Sequence, residues 1–251
     1  MPNTFPDHFS QQASHYARYR PLYPATLYEY LASLTSQHER AWDVGTGNGQ
    51  AAIGLARHFR SVIATDPSEQ QIALATPHEH VTYRVATAEH SEIEDQSIDL
   101  VAVSLAVHWF DLDRFYAEVK RVLKPEGILA VWCYNLTEIT PAVDAVMESY
   151  YHDVLGKFWP PQIHWVDEHY QTLPFPFDEI AAPEFALEAV WSLNELFGYL
   201  SSWSAVPKYR EAYGADPLAM KRAEFQAAWG AEANRAVRWP LYVRVGKLPA
   251  S

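Results

Sequence analysis

Asp43-Val44-Gly45-Thr46-Gly47-Asn48-Gly49-Gln50 follows directly on the short apolar run that starts near Glu39. Glycines at alternate positions let a chain turn tightly and let a ligand approach backbone without Cβ atoms in its way. At the carboxyl end of a strand, such a turn and the helix that follows it can cradle a nucleoside-containing ligand. A second apolar run, Ser61 to Thr65, ends at Asp66, 21 positions beyond Gly45. A carboxylate there is placed to accept hydrogen bonds from both ribose hydroxyls. Gln50 occupies the position where the dinucleotide pattern G-x-G-x-x-G requires its third glycine. That glycine serves close helix packing beside a pyrophosphate, so its absence counts against a nicotinamide-dependent dehydrogenase.

Outward from the turn, further strands are expected at Val81 to Val85, Ile98 to Ser104, Gly127 to Trp132, Phe185 to Val190 and Val237 to Val245. Helices are expected between them. After Asp111, Leu112, Phe115, Tyr116, Val119, Val122 and Leu123 recur at helical spacing until Pro125 and Gly127 end the run. Alternating strands and helices predict an α/β fold with a mostly parallel sheet covered on both faces. Ser192 and Glu195 form a capping-box pattern, and Asp216-Pro217 marks another helix start. Two segments stand outside the alternation, within a single domain spanning 1–251. Residues 8–36 predict a helical cover, interrupted by Arg20-Pro21-Leu22-Tyr23-Pro24. Residues 137–180, crowded with Tyr150, Tyr151, Phe158, Trp159, Trp165, Tyr170, Phe175 and Phe177, predict a cap or lid over the carboxyl ends of the strands.

The composition narrows the function classes. Of 251 residues, 49% are hydrophobic and 20% charged, enough for a sizeable core. The formal net charge of -12 and the lack of any basic patch exclude nucleic acid as an expected partner. No apolar stretch is long enough for a membrane span, and the amino terminus carries no export-signal pattern, so a cytoplasmic protein with no membrane partner is expected. Cys133, the one cysteine, reads as a buried thiol in a strand. No metal site is expected, since neither His78 with His80 nor His164 with His169 has further ligands beside it. Patterning leaves a monomer and a homodimer both open.

The ordered motifs resemble the class I S-adenosylmethionine-dependent methyltransferases, in particular the type 11 group and its trans-aconitate methyltransferase-like branch. The resemblance rests on Phe9, Tyr16 and Arg20-Pro21-x-Tyr23-Pro24, on Asp43 to Gly49, on Ala88-Glu89, on His108-Trp109-Phe110, and on Leu123-Lys124-Pro125-x-Gly127. It implies a Rossmann-like seven-stranded sheet with an antiparallel last strand, S-adenosylmethionine as cofactor and S-adenosylhomocysteine as product. It further implies that Gly45, Gly47 and Gly49 line the methionine part, with Asp43 supporting its ammonium. Asp66 would hold the ribose, Ser68, Ala88 and Glu89 would border the adenine, and Leu105 would pack near the cofactor. Tyr16 and Arg20 would fold over it. His108 is the candidate catalytic base, and His108, Trp109 and Trp159 are candidate walls for a small-molecule acceptor. An organic-acid carboxylate is the acceptor of the resembled branch, and Arg20, Arg210 and Arg238 are the cations that could pair with it. A protein that binds the cofactor without turnover is the alternative.

Overall fold

The computed structural model describes residues 21–249. Helix α1 (Ala25–Ser33) leads into strand β1 (Arg40–Val44), then α2 (Gln50–Leu55), β2 (Ser61–Asp66), α3 (Glu69–Ala73), β3 (Val81–Val85) and β4 (Ile98–Ser104). Helix α4 (Leu112–Val122) passes straight into β5 (Leu123–Cys133). Next come α5 (Pro141–Ser149), a π-helical turn (Tyr150–Val154), the short α6 (His164–Asp167), β6 (Asp178–Ile180) and β7 (Phe185–Trp191). Helices α7 (Leu193–Ser201), α8 (Ala205–Tyr213) and α9 (Arg222–Trp229) precede the final strand β8 (Arg235–Lys247).

The sheet runs β3-β2-β1-β4-β5-β8-β6, with β7 also paired to β8. The pairs among β1 to β5 are parallel, whereas β8 is antiparallel to β5, β6 and β7. The mostly parallel sheet is as the sequence predicts, and the antiparallel last strand that the resemblance implies is β8. The short β6 is an addition: Asp178–Ile180 has no apolar alternation to announce it. It exists because β8 is long enough to be shared. Residues Arg235 to Leu241 pair with β7, while Tyr242 to Lys247 pair with β5 and the last three of these also with β6.

Strand periodicity places the core on both faces. On one face lie Ala41, Leu100, Ala102, Ile128, Ala130 and Trp132. On the other lie Trp42, Val44, Val101, Val103, Leu129, Val131 and Cys133. The expected helix after Asp111 is present, with the Asp111 side chain accepting from the Arg114 N–H and with Phe115, Tyr116, Val119 and Val122 buried. The Ser192–Glu195 capping box forms as expected. Asp216 caps a single 3₁₀ turn, Pro217–Met220. At the amino edge of the sheet, Asp99 accepts from the Glu39 and Arg40 N–H groups and from Lys124 Nζ, which clamps the starts of β1, β4 and β5 together.

Among the described residues, no helix is long and apolar enough to cross a membrane, and no group of three or more potential metal ligands is found. Cys133 is a buried free thiol. Of the segment 8–36, the described part supplies α1, whose Leu27, Tyr28, Leu31 and Ala32 are buried.

Helix α1 sits against α2 through the absence of a side chain. A β-carbon added at Gly54 would lie 2.0 Å from Tyr28 Cζ, whereas one at Gly156 would meet nothing within 4 Å. Gly54→Ala is therefore expected to lose about 2 kcal/mol of stability through overpacking. Gly156→Ala should stay within about 0.5 kcal/mol of the parent. Urea denaturation of the two variants checks this, and coincident midpoints would contradict the packing argument.

Candidate functional site

The strand order reverses between β1 and β4, and in open α/β sheets the crevice at such a reversal is where ligands bind. A cavity of about 450 Å³ opens at this place. It is lined by residues that follow the carboxyl ends of β1, β2, β4 and β5, and by residues of the segment between β5 and β8.

The glycine turn is built by hydrogen bonds that its own sequence supplies. Gly45, Gly47 and Gly49 all have positive φ, the region that side chains with a β-carbon avoid. At Gly45 a β-carbon would also stand 2.7 Å from Ala106 Cβ, so the turn after β1 can meet the turn after β4 only with glycine there. Asp66 Oδ2 accepts the Gly47 N–H at 2.9 Å, and Asp66 Oδ1 accepts the Ser68 N–H at 2.9 Å. One carboxylate thus ties the two turns together while lining the cavity with Gly45, Gly47 and Ser68. Leu105, at φ 52, is a branched residue in the left-handed region. Its N–H donates to the Trp132 carbonyl. Backbone strain of this kind is concentrated at functional sites, and Leu105 lines the cavity.

Several expected positions lie elsewhere. Asp43 is fully buried and is not part of the cavity lining. Its Oδ2 accepts from the Thr46 hydroxyl at 2.5 Å, and the carboxyl is also within hydrogen-bonding reach of the Ala52 backbone N–H. Burial, with a smaller push from the Asp66 charge, raises its carboxyl to about 7. Gly49 faces away from the cavity and caps α2. Ala88 is buried in the core on the β3 side. Glu89 accepts from the Asp111 N–H, holding the start of α4. Neither Ala88 nor Glu89 lines the cavity, because the loop after β3 turns toward α4 instead. Arg210 is engaged by Asp216, and Arg238 by Glu138, both outside the cavity. Tyr16 and Arg20 lie outside the described residues.

His108, Trp109 and Trp159 all line the cavity. His108 is only 3% exposed, and its Nδ1 lies 2.8 Å from the Tyr170 hydroxyl. Burial lowers its pKa to about 3, so the ring is neutral throughout the physiological range. The segment 137–180 contributes Tyr151, Trp159, Ile163 and Val166 to the cavity wall.

The sequence reading missed other wall residues. Tyr134 and Asn135 follow β5 directly and were findable by the same strand-end argument that found Asp66. Tyr199, Ser202 and Trp203 come from α7 and its exit, where the pattern shows only an apolar helix face. Gln50 donates to the Pro21 carbonyl at 2.7 Å, pinning the described start of the chain beside the turn. Ser104 donates to the Tyr23 hydroxyl at 2.7 Å.

Comparison with known proteins agrees with this geometry. Residues 42–131 match the model of a methyltransferase domain family. The chain is 35% identical over 221 residues to a candidate methyltransferase of Dictyostelium discoideum, covering 86% of this chain and 84% of that one. It is 27% identical over 171 residues to a candidate S-adenosylmethionine-dependent methyltransferase of Saccharomyces cerevisiae, covering 63% and 59%. A solved structure of a candidate type II methyltransferase from Anaeromyxobacter dehalogenans superposes with a TM-score of 0.85 at 44% identity, over 92% of this chain and 99% of that chain. The glycine turn, the sheet built around it and relatives aligned along most of their length lead to one conclusion: the chain belongs to the class I S-adenosylmethionine-dependent methyltransferase family, within its type 11 group.

Proposed function

We propose that this protein transfers the methyl group of S-adenosylmethionine to a small molecule. The observation that carries the reading is a single cavity bordered by both an unobstructed glycine turn and the Asp66 carboxylate. Its volume of about 450 Å³ suits a small-molecule site. The residues present fit the cofactor. Gly45 keeps the turn free of a β-carbon where space is already tight. Asp66 lines the cavity beside the glycine turn and would hold the ribose hydroxyls. Ser68 would lie toward the adenine. Asp43, buried behind the turn and accepting from Thr46, would hold the turn in the shape that receives the cofactor without touching it. S-adenosylmethionine, when bound, supplies an electrophilic methyl carbon on a sulfonium, open to in-line displacement.

The chain's own contribution is alignment and exclusion of water. Leu105 and Ala106 shape the floor between the turn and the acceptor, while Trp109, Tyr151, Trp159 and Trp203 wall the acceptor side. A ring as weakly basic as His108 serves hydrogen bonding and wall packing rather than proton removal. A carboxylate acceptor, as in the trans-aconitate-like branch, needs a cation beside it. No lysine or arginine lines the cavity among the described residues, so that finer reading rests on Arg20.

Asp66→Ala should weaken S-adenosylhomocysteine binding about tenfold to a hundredfold, in line with losing hydrogen bonds to a charged group. Calorimetric titration of a variant with a native circular dichroism spectrum checks this, and unchanged affinity would refute the proposal. A second expectation concerns pH. His108 stays neutral in the fold down to about 3 but protonates near 6.5 when unfolded. Below pH 6.5 the unfolded chain therefore binds the extra proton, and stability falls as pH falls toward 3. His108→Asn should flatten this slope by about 1.4 kcal/mol for each pH unit in that window. Denaturation curves across the range would show it.

A further inference from the structure

The acceptor side of the cavity carries a hydrogen-bond arrangement that the methyl-transfer reading does not use. The π-helical turn Tyr150–Val154 follows α5, and such turns recur at functional sites. Tyr151, within it, lines the cavity and donates its hydroxyl proton to Asp167 Oδ1 at 2.6 Å. Asn135, just beyond β5, also lines the cavity and donates from Nδ2 to the same Asp167 oxygen at 2.9 Å. The amide also hydrogen-bonds the Tyr151 side chain.

Donor and acceptor counting fixes what this wall can offer. An ionised carboxylate only accepts, so Asn135 must turn its amide nitrogen toward Asp167 and keep its oxygen for other partners. The single proton of Tyr151 is likewise directed at Asp167, so the phenol oxygen accepts from the Asn135 amide and can offer only acceptor capacity to a ligand. Trp159 Nε1 is turned inward too, donating to the Tyr151 carbonyl at 3.1 Å. The Ser202 hydroxyl, nearby in the lining, donates to the Tyr199 carbonyl. The wall therefore presents acceptor atoms backed by a negative charge. No lysine or arginine is ion-paired with Asp167 among the described residues.

Aromatic faces complete the surroundings. Tyr151 and Trp159 stack at 4.6 Å between ring centroids, and Trp203 meets Tyr151 edge-on at 5.6 Å. The negative faces of aromatic rings attract cations, most strongly when water is excluded. Acceptors, a carboxylate and rings together favour a positively charged donor. An anion at the same place would lose its hydration and face the acceptor atoms of Asn135 and Tyr151.

We propose that Asn135 and Tyr151, with Trp159 and Trp203 beside them and the Asp167 carboxylate behind them, form the subsite that receives a protonated amine of the methyl acceptor. The assignment rests on the small-molecule methyltransferase reading and names the chemical class of its acceptor. The net charge of -12 works in the same direction by drawing cations toward the molecule.

Two matched pairs of probes test it: phenethylamine against 3-phenylpropionate, and tryptamine against indole-3-propionate. Each is titrated calorimetrically into the full chain saturated with S-adenosylhomocysteine. At least one amine should bind below about 1 mM, with its carboxylate counterpart weaker by about tenfold or more. Asp167→Asn should weaken the amine about tenfold while leaving S-adenosylhomocysteine affinity within about twofold. Tyr151→Phe keeps the ring and removes the acceptor oxygen, and should weaken the amine about threefold. This second variant keeps the test decisive should Asp167→Asn fail to fold. The proposal is overturned by carboxylates that bind as well as the amines, by amines displaced by S-adenosylhomocysteine, by no amine binding at about 1 mM, or by folded variants that bind the amine as the parent does. If S-adenosylhomocysteine itself does not bind, the cofactor reading fails separately, and the amine titration on the protein alone still decides the subsite.

Discussion

The Asp66 carboxylate is the constraint from which the site is built. Its two oxygens take N–H groups from two different loops, one after β1 and one after β2. Charge-assisted bonds of this kind are about twice as strong as neutral ones. With the loops held, Gly45 can approach the turn after β4 closely enough to touch Ala106. Leu105 is then kept in a backbone region that a branched residue adopts only when its surroundings over-determine it. The turns after β1 and β2 are held together because one side chain satisfies backbone donors of both, and the turn after β4 approaches them at Gly45.

Burial sets the electrostatic character of what surrounds this point. Asp43 and His108 are both nearly inaccessible, and in both the neutral form is favoured: the carboxyl is raised to about 7 and the imidazole lowered to about 3. Desolvation is the leading cause for each, as expected where charge is removed from water. The cavity lining combines small polar groups of the glycine turn with tyrosine and tryptophan rings, several of them from the segments after β5.

How far the site was legible from sequence depended on whether a residue's place follows from strand order alone. Gly45, Gly47, Asp66, Ser68, Leu105, His108 and Trp109 sit within a few residues of strand ends, and all of them line the cavity. Asp43 and Gly49 belong to the same motif yet support the turn from behind, since the direction a side chain takes is not set by motif membership. Ala88 and Glu89 also follow a strand, but β3 lies at the sheet edge and its loop packs toward α4. Asn135, Tyr151 and Asp167 were not legible as a group. They are 16 and 32 residues apart, and their meeting depends on a π-helical turn for which no pattern was read.

Local rules acting on neighbouring residues determined the α/β alternation, the parallel strands, the glycine turn with its downstream acid and the capped helices, because period, turn chemistry and capping operate over a few positions. The sharing of β8 among β5, β6 and β7 required the folded molecule, as did the burial that neutralises His108 and the polarity of the aromatic wall. Each of these is set by which distant segment fills the space beside a residue. That choice is made by packing and hydrogen-bond satisfaction across the whole chain, not by the order of residues at any one place.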